Sequence, residues 1–222
     1  MKKLFFTFAM MMIVSLANAQ FEPGEWSMQV RVGLGAAKLS NMDKIPTMSS
    51  SVESKPIPSF QYGLNVEYQL ASMVGLSFGV ESTVQGGGWD NFNEDGVKYT
   101  DPRIELKYIG VPVVAKIYLT KGLSLNTGVR FGFLTNADVK LRTEGKISNY
   151  KTTMDTSIDI KSACEKFDLS IPVGISYEFK SHFVLGACYN IGLKKVNKES
   201  FAGEKDNKNE LFLLTCGYKF KL

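Results

Sequence analysis

The sequence predicts an all-β protein, an eight-stranded antiparallel β-barrel of up-and-down topology. Three observations predict it: eight stretches alternate apolar and polar residues with a period of two, the connections between them are alternately short and long, and the polar face is rich in glycine and in charges of both signs.

The first stretch covers Trp26 to Ala37, with Trp26, Met28, Val30, Val32, Leu34 and Ala36 on one face and Ser27, Gln29, Arg31, Gly33 and Gly35 on the other. The second, Phe60 to Leu70, sets Phe60, Tyr62, Leu64, Val66 and Tyr68 against Gln61, Gly63, Asn65, Glu67 and Gln69. The third follows a tight turn near Ser72 and opposes Val74, Leu76, Phe78 and Val80 to Gly75, Ser77, Gly79 and Glu81. The fourth spans Leu106 to Leu119. Its alternation slips near Tyr108, which predicts a bulge or a strand start there, and Pro112 argues against a central strand.

The fifth, sixth and seventh stretches are Leu123 to Leu134, Phe167 to Phe179 and Phe183 to Leu193. The eighth, ending the chain, sets Phe212, Leu214, Cys216, Tyr218 and Phe220 against Thr215, Gly217, Lys219 and Lys221. Turns near Ser72, Lys121 and Lys180 are short. The segments Lys38 to Ser59, Gly86 to Glu105, Thr135 to Lys166 and Lys194 to Glu210 are long and polar, and are expected to be loops.

The N-terminus reads Met1-Lys2-Lys3, an apolar run from Leu4 to Leu16, then Ala17-Asn18-Ala19. A charged start, a short apolar middle and small residues at the end predict a secretory leader over 1–19, cleaved after Ala19. Residues 20–222 are expected to form one domain. Loss of Lys2 and Lys3 with no acid takes the formal charge from +4 to +2. A balance that small gives no reason to expect a nucleic-acid partner. Cys164, Cys188 and Cys216 are odd in number and fit no zinc spacing, so neither a disulfide framework nor a metal site is expected.

Alternation alone leaves open which face is inside. Glycines such as Gly33, Gly63, Gly79, Gly110, Gly128, Gly174 and Gly217 fall on the polar face, where they relieve crowding only if that face fills the interior of a narrow barrel. The same face carries Arg31, Lys116 and Arg130 with Glu67, Glu81, Asp168 and Glu178, expected to pair as a lumen charge network because buried charges require partners. The apolar face is nearly free of charge and carries aromatics near its strand ends, as lipid contact requires. The prediction is therefore a transmembrane barrel. The alternative is a soluble lipocalin-like ligand carrier with the faces reversed.

The chain resembles the outer-membrane β-barrel proteins of the OmpA and OmpX type, and more closely the PorT-like barrels of the "porin family". The likeness is carried by the Asn18-Ala19-Gln20 leader end, by Tyr108-Ile109-Gly110-Val111-Pro112-Val113-Val114-Ala115-Lys116, and by the last strand. That strand, with Thr215, Gly217, Phe220 and Leu222, is similar to the signal read by barrel-assembly machinery in such families, although it ends in leucine and not in an aromatic residue. The resemblance implies an outer-membrane location with lipid and the assembly machinery as partners.

No catalytic constellation stands out, and no enzyme or cofactor is expected. The lone histidine, His182, falls in a short turn. Asp155, Asp159 and Glu165, and Asp90, Glu94, Asp95 and Asp101, read as solvated loop acids more readily than as calcium ligands, since their spacing fits no EF-hand. Gly86-Gly87-Gly88 lacks the lysine and helix of a phosphate loop and reads as loop entry. The leading expectation is a structural, adhesive or surface-interaction role exercised through four long extracellular loops. The alternatives are an accessory barrel in protein secretion, with partners in a secretion complex, and a narrow channel.

Overall fold

The computed structural model of the chain describes residues 22–42, 52–94, 97–147, 150–198 and 206–222. The expected leader and its cleavage site lie outside these residues. Eleven strands form one antiparallel sheet: β1 (Trp26–Leu39), β2 (Ser54–Lys55), β3 (Ile57–Ala71), β4 (Val74–Trp89), β5 (Phe92–Glu94), β6 (Val97–Tyr118), β7 (Leu123–Ile147), β8 (Tyr150–Asp159), β9 (Phe167–Glu178), β10 (Phe183–Lys195) and β11 (Lys208–Lys221). Among the described residues the one helical element is a three-residue 3₁₀ turn, Lys161–Ala163, and no helix is long and apolar enough to cross a membrane.

Eight strands make a closed ring in the order β1-β3-β4-β6-β7-β9-β10-β11, with β4 pairing β6 and β11 returning to β1. Closure leaves no open sheet edge in the wall, the condition a lipid environment sets for strands. The shortest ring strand, β9, has 12 residues. At about 3.3 Å per residue and a tilt of about 45°, it rises roughly 28 Å, enough to span the apolar band of about 25 Å that a transmembrane barrel presents to lipid.

The apolar face points outward. Val30, Leu64, Phe78 and Val129 from four strands are 47, 48, 41 and 37% exposed, while Glu67, Glu81 and Arg130 are buried. A water-soluble core would have packed the first four together, so the lipocalin-like alternative is excluded. Two aromatic bands bound the outer surface. At the short-turn end Trp26 meets Tyr68 at 4.7 Å, Tyr177 meets Phe179 at 4.9 Å and Phe183 meets Tyr218 at 5.2 Å between ring centres. Toward the other end Phe133 meets Phe167 at 5.7 Å and Phe60 meets Tyr62 at 5.9 Å. Such bands mark the two membrane interfaces.

Pro112 does not end its strand. It pairs with Arg130 on β7, and the ladder toward β4 skips from Phe78↔Val113 to Glu81↔Gly110 where its missing N–H would have donated. The irregularity expected near Tyr108 is present: Tyr108 pairs with Leu134 and Lys107 with Asn136, so Thr135 is the extra residue, carried by β7.

Two expectations about loops are corrected. The span Thr135 to Lys166 is largely a β-hairpin, in which β7 continues to Ile147 and pairs with β8 from Asp138↔Asp159 to Ile147↔Tyr150. The span Gly86 to Glu105 is also mostly strand. Gly86, Gly87 and Gly88 continue β4 opposite Glu105, Ile104 and Arg103, and are not loop entry. The hairpin was obscured because a ribbon exposed on both faces has no apolar stripe to mark it, and the β4 end because three successive buried glycines carry no side chains to alternate.

Candidate functional site

The lumen is organised in three levels. Nearest the short turns, β3, β6, β9 and β11 each send one or two side chains inward. Lys116 Nζ lies 2.6 Å from Glu67 Oε2, and Lys219 Nζ lies 3.1 Å from both Glu67 Oε2 and Glu178 Oε2. The Tyr118 hydroxyl donates to Glu67 Oε1 and accepts from Lys219 Nζ at 3.1 Å. One level up, Glu81 is held between two guanidinium groups: Arg31 Nη2 at 2.7 Å and Arg130 Nε at 2.6 Å. Arg130 also donates to Thr83 Oγ1 and places Nη1 3.8 Å from Asp168 Oδ2. A cavity of about 60 Å³, lined by Gln29, Asn65, Asn126 and Cys188 among others, adjoins these charges.

All seven charged residues expected in the lumen are thus brought together, in two clusters. Lys219 was missed, and it links Glu67 to Glu178. With it the network has four cations (Arg31, Lys116, Arg130, Lys219) and four carboxylates (Glu67, Glu81, Asp168, Glu178). The sequence carried the signal. Lys219 sits on the polar face of the last strand, and the seven-residue set, three cations against four acids, was one positive charge short.

Two glycines make room for these side chains. A Cβ on Gly110 would stand 2.7 Å from Nη2 and 2.8 Å from Nε of Arg130, and one on Gly75 would stand 2.7 Å from Oε1 of Glu67. Each glycine lies on the strand next to the charged residue, β6 beside Arg130 on β7 and β4 beside Glu67 on β3, and leaves open the space that the charged side chain fills.

The third level, toward the long connections, is apolar. Leu39, Met42, Leu106, Tyr108, Leu134, Ala137, Cys164 and Val196 pack into one buried cluster with Trp89, Ile104 and Ile160 against it, and Ala37, Ile57, Leu211 and Leu213 form a second. The expectation of a polar or glycine-lined interior fails at this end. Beyond the bilayer the wall is wet outside, so the same inward positions that carry polar residues lower down carry apolar ones here, as Ala37 and Leu39 continue the inward row of Gln29 and Arg31. Salt-bridged below and greasy above, the interior is a packed plug. Planar-bilayer recordings of the purified protein are expected to show no stepwise conductance, and reproducible steps would contradict this packing.

The remaining candidates disperse. Asp155 is held by Arg142 (Nε to Oδ1, 2.7 Å), which keeps its carboxyl below the usual range, Asp159 accepts the backbone N–H of Lys161, and Glu165 faces Lys194 at 3.5 Å. Asp101 pairs with Lys55 and Arg103, and Asp95 lies outside the described residues. Among the described residues no three of His, Cys, Asp and Glu are placed to hold a metal. His182 occupies a turn with φ of 64°, its Nδ1 3.7 Å from Glu178 Oε1. On β11, Thr215 and Gly217 face the lumen side, Phe220 and Leu222 are exposed, and Leu222 donates its N–H to Trp26 O at the seam with β1.

The three cysteines are free. Cys164 is buried in the apolar cap, and burial pushes its thiol up from the ordinary value. A maleimide applied to the folded protein is expected to leave Cys164 unmodified until urea unfolds the barrel. Equal labelling rates before and after unfolding, read by peptide mass spectrometry, would contradict its place in the cap.

A closed ring with a lipid-facing apolar exterior and a charged, filled interior defines an integral outer-membrane β-barrel. The chain belongs to the outer membrane protein beta-barrel domain family, which it matches over residues 18–198. No curated protein sequence matches it. Among solved structures it is similar to Ail, the attachment invasion locus protein of Yersinia pestis, in complex with the heparin analogue sucrose octasulfate (17% identity, covering 89% of this chain and 99% of that one, TM-score 0.45). It is also similar to Neisserial surface protein A (15% identity, 89% and 97% covered, TM-score 0.43) and to the outer membrane protein OprG of Pseudomonas aeruginosa (12% identity, 93% and 100% covered, TM-score 0.44).

Proposed function

We propose that this barrel is a non-enzymatic surface-interaction protein whose working part is the ribbon that β5, β6, β7 and β8 raise above the outer membrane interface. Residues 138–147 of β7 pair throughout with 150–159 of β8, about 33 Å of hairpin at about 3.3 Å per residue. Ion pairs lace it across strands: Arg142 with Asp155, Lys140 with Glu105 at 2.5 Å, and Lys98 with Glu144 at 3.7 Å.

The observation that carries the reading is the last strand of this ribbon. Among the described residues β8 pairs with β7 alone, leaving its second edge open, and Met154 and Ile158 on one of its faces are 63 and 57% exposed beyond the lipid-facing band. An open edge offers a row of backbone donors and acceptors to an extended segment of another protein, and side chains on alternate positions supply selectivity. A barrel needs none of this to remain anchored. The partner class is thus an extended strand of an extracellular or neighbouring surface protein. In this reading the paired ribbon takes the place of the four long extracellular loops of the sequence expectation as the presenting surface.

Biogenesis follows the same reading. The leader is removed after Ala19, residues 20–222 fold as one unit, and the assembly machinery reads Thr215, Gly217, Phe220 and Leu222 on the closing strand. The test excises residues 141–156, joining Lys140 to Ser157 through Asn-Gly. The shortened protein is expected to keep the gel-mobility shift on heating that marks a folded barrel, while bacteria carrying it lose attachment to immobilised host surface proteins that the intact protein binds. Undiminished attachment would refute the proposal.

A further inference from the structure

We propose that the lysines gathered around the Thr135 bulge bind the phosphate groups of a phosphorylated, multi-acylated lipid of the outer leaflet. The bulge organises the patch. As the extra residue of β7, Thr135 has no opposite number on β6, which leaves its carbonyl free of that ladder. That carbonyl accepts Lys161 Nζ at 2.6 Å, while Thr135 Oγ1 donates to the carbonyl of Lys107 at 2.9 Å. One residue back, the N–H of Leu134 donates to the carbonyl of Lys166 at 2.8 Å. Two residues back, Phe133 packs on Phe167, and Lys194 Nζ stands 5.2 Å from the Phe167 ring centre. Four lysines from four separate segments therefore surround residues 133–135 of one strand.

Their height in the membrane decides what they meet. Phe131, Phe133 and Phe167 belong to the lipid-facing aromatic band at the long-connection end, and the lysines begin where that band stops. Acyl chains would lie along the phenylalanines, and the headgroup would reach the ammonium groups. The acids nearby are engaged: Glu165 with Lys194 at 3.5 Å, Asp159 with the Lys161 backbone, and Asp138 with Asn136 Nδ2 at 2.6 Å. With Lys195 and Lys198 flanking, six lysines stand against three carboxylates, an excess of positive charge. Elsewhere on the rim the balance differs: Lys38 on β1 is in register with Glu210 on β11. The excess occupies one sector of the rim, the β6-β7-β9-β10 wall with Lys208 of β11 in register with Lys195, as a site for one bound lipid requires and a uniform interfacial anchor does not.

The test uses the full-length mature protein in phosphatidylcholine nanodiscs. It is titrated with a diphosphorylated multi-acyl glycolipid and with the same lipid after enzymatic removal of its phosphates, binding being read by native mass spectrometry. Each surface lysine is worth about fivefold in affinity for an anionic headgroup, so the phosphorylated lipid is expected to bind at least about tenfold more tightly. The combined variant Lys107→Gln, Lys161→Gln, Lys166→Gln, Lys194→Gln is expected to bring the two lipids to near parity, and Lys38→Gln with Lys55→Gln, both on the far side of the rim, to leave the preference intact. Should the combined variant fail to show the heat-dependent mobility of a folded barrel, the single exposed substitutions Lys107→Gln and Lys166→Gln are read instead, each lowering the preference by about fivefold. Equal binding of both lipids by the unaltered protein, an unchanged preference in the lysine variants, or displacement of the lipid by about 10 mM inorganic phosphate, against the roughly micromolar competition expected of lipid, would overturn the proposal.

Discussion

Replacing Glu81 by glutamine is expected to cost the folded barrel about 3–5 kcal/mol, the range for removing one member of a buried ion pair. Glu81 is 3% exposed and accepts from Arg31 and Arg130 at once. Glutamine keeps the shape and an acceptor oxygen but removes the charge, leaving two guanidinium groups to share Asp168, which stands 3.8 Å from the nearer one. Urea titration of the protein in phospholipid vesicles, followed by tryptophan fluorescence, reads the loss. The second half of the prediction separates charge from packing. Adding Arg31→Met to Glu81→Gln restores the balance, one cation (Arg130) to one carboxylate (Asp168), and most of the stability is expected to return. A double variant as unstable as the single one would mean that the cost lies in lost hydrogen bonds and not in uncompensated charge.

Arginine at Val129 is expected to destabilise the barrel by about 2–4 kcal/mol, and the cost should fall to about 0–1 kcal/mol for positions near the interface. Val129 is the middle member of the outward series Leu125, Thr127, Val129, Phe131 and Phe133 on β7. The prediction is therefore a profile, in which Val129→Arg is worse than Leu125→Arg and Phe133→Arg under the same urea titration. The physical cause is the low polarity of the bilayer centre, from which a guanidinium at mid-wall can escape only by stretching toward a headgroup. A flat profile along β7 would indicate that these residues do not sample a lipid depth gradient.

What could be read from the sequence follows the places where burial is one-sided. Along Val30, Val32 and Leu34, or Leu64 and Val66, one face meets lipid and the other a crowded lumen, so a period of two states the strand, its facing and its register together. The same logic put Arg31, Glu81 and Arg130 on common ground from three distant segments. It fails where both faces share an environment. From Asp138 to Glu144 and from Thr152 to Asp159 neither side is buried, so strands pass for loop. It also fails where the environment inverts, as at Leu39, Leu106 and Leu134, inward and apolar because the wall there has left the lipid. Lys219 was legible in its parity and was lost by treating the last strand only as a terminal signal. The role of Thr135 was not legible, since a bulge shifts register by pairing with a partner strand whose alignment the sequence does not display.

Throughout the membrane-spanning wall the apolar side chains face lipid while the ion pairs fill the interior. Nitroxide labels placed singly at Val30, Leu64, Phe78 and Val129 in vesicle-inserted protein test it most directly, through collision with oxygen, which partitions into hydrocarbon, and with a water-soluble nickel chelate. All four labels are expected to relax strongly with oxygen and weakly with the chelate. Four labels shielded from both reagents, on a protein that stays in the aqueous fraction, would contradict the account.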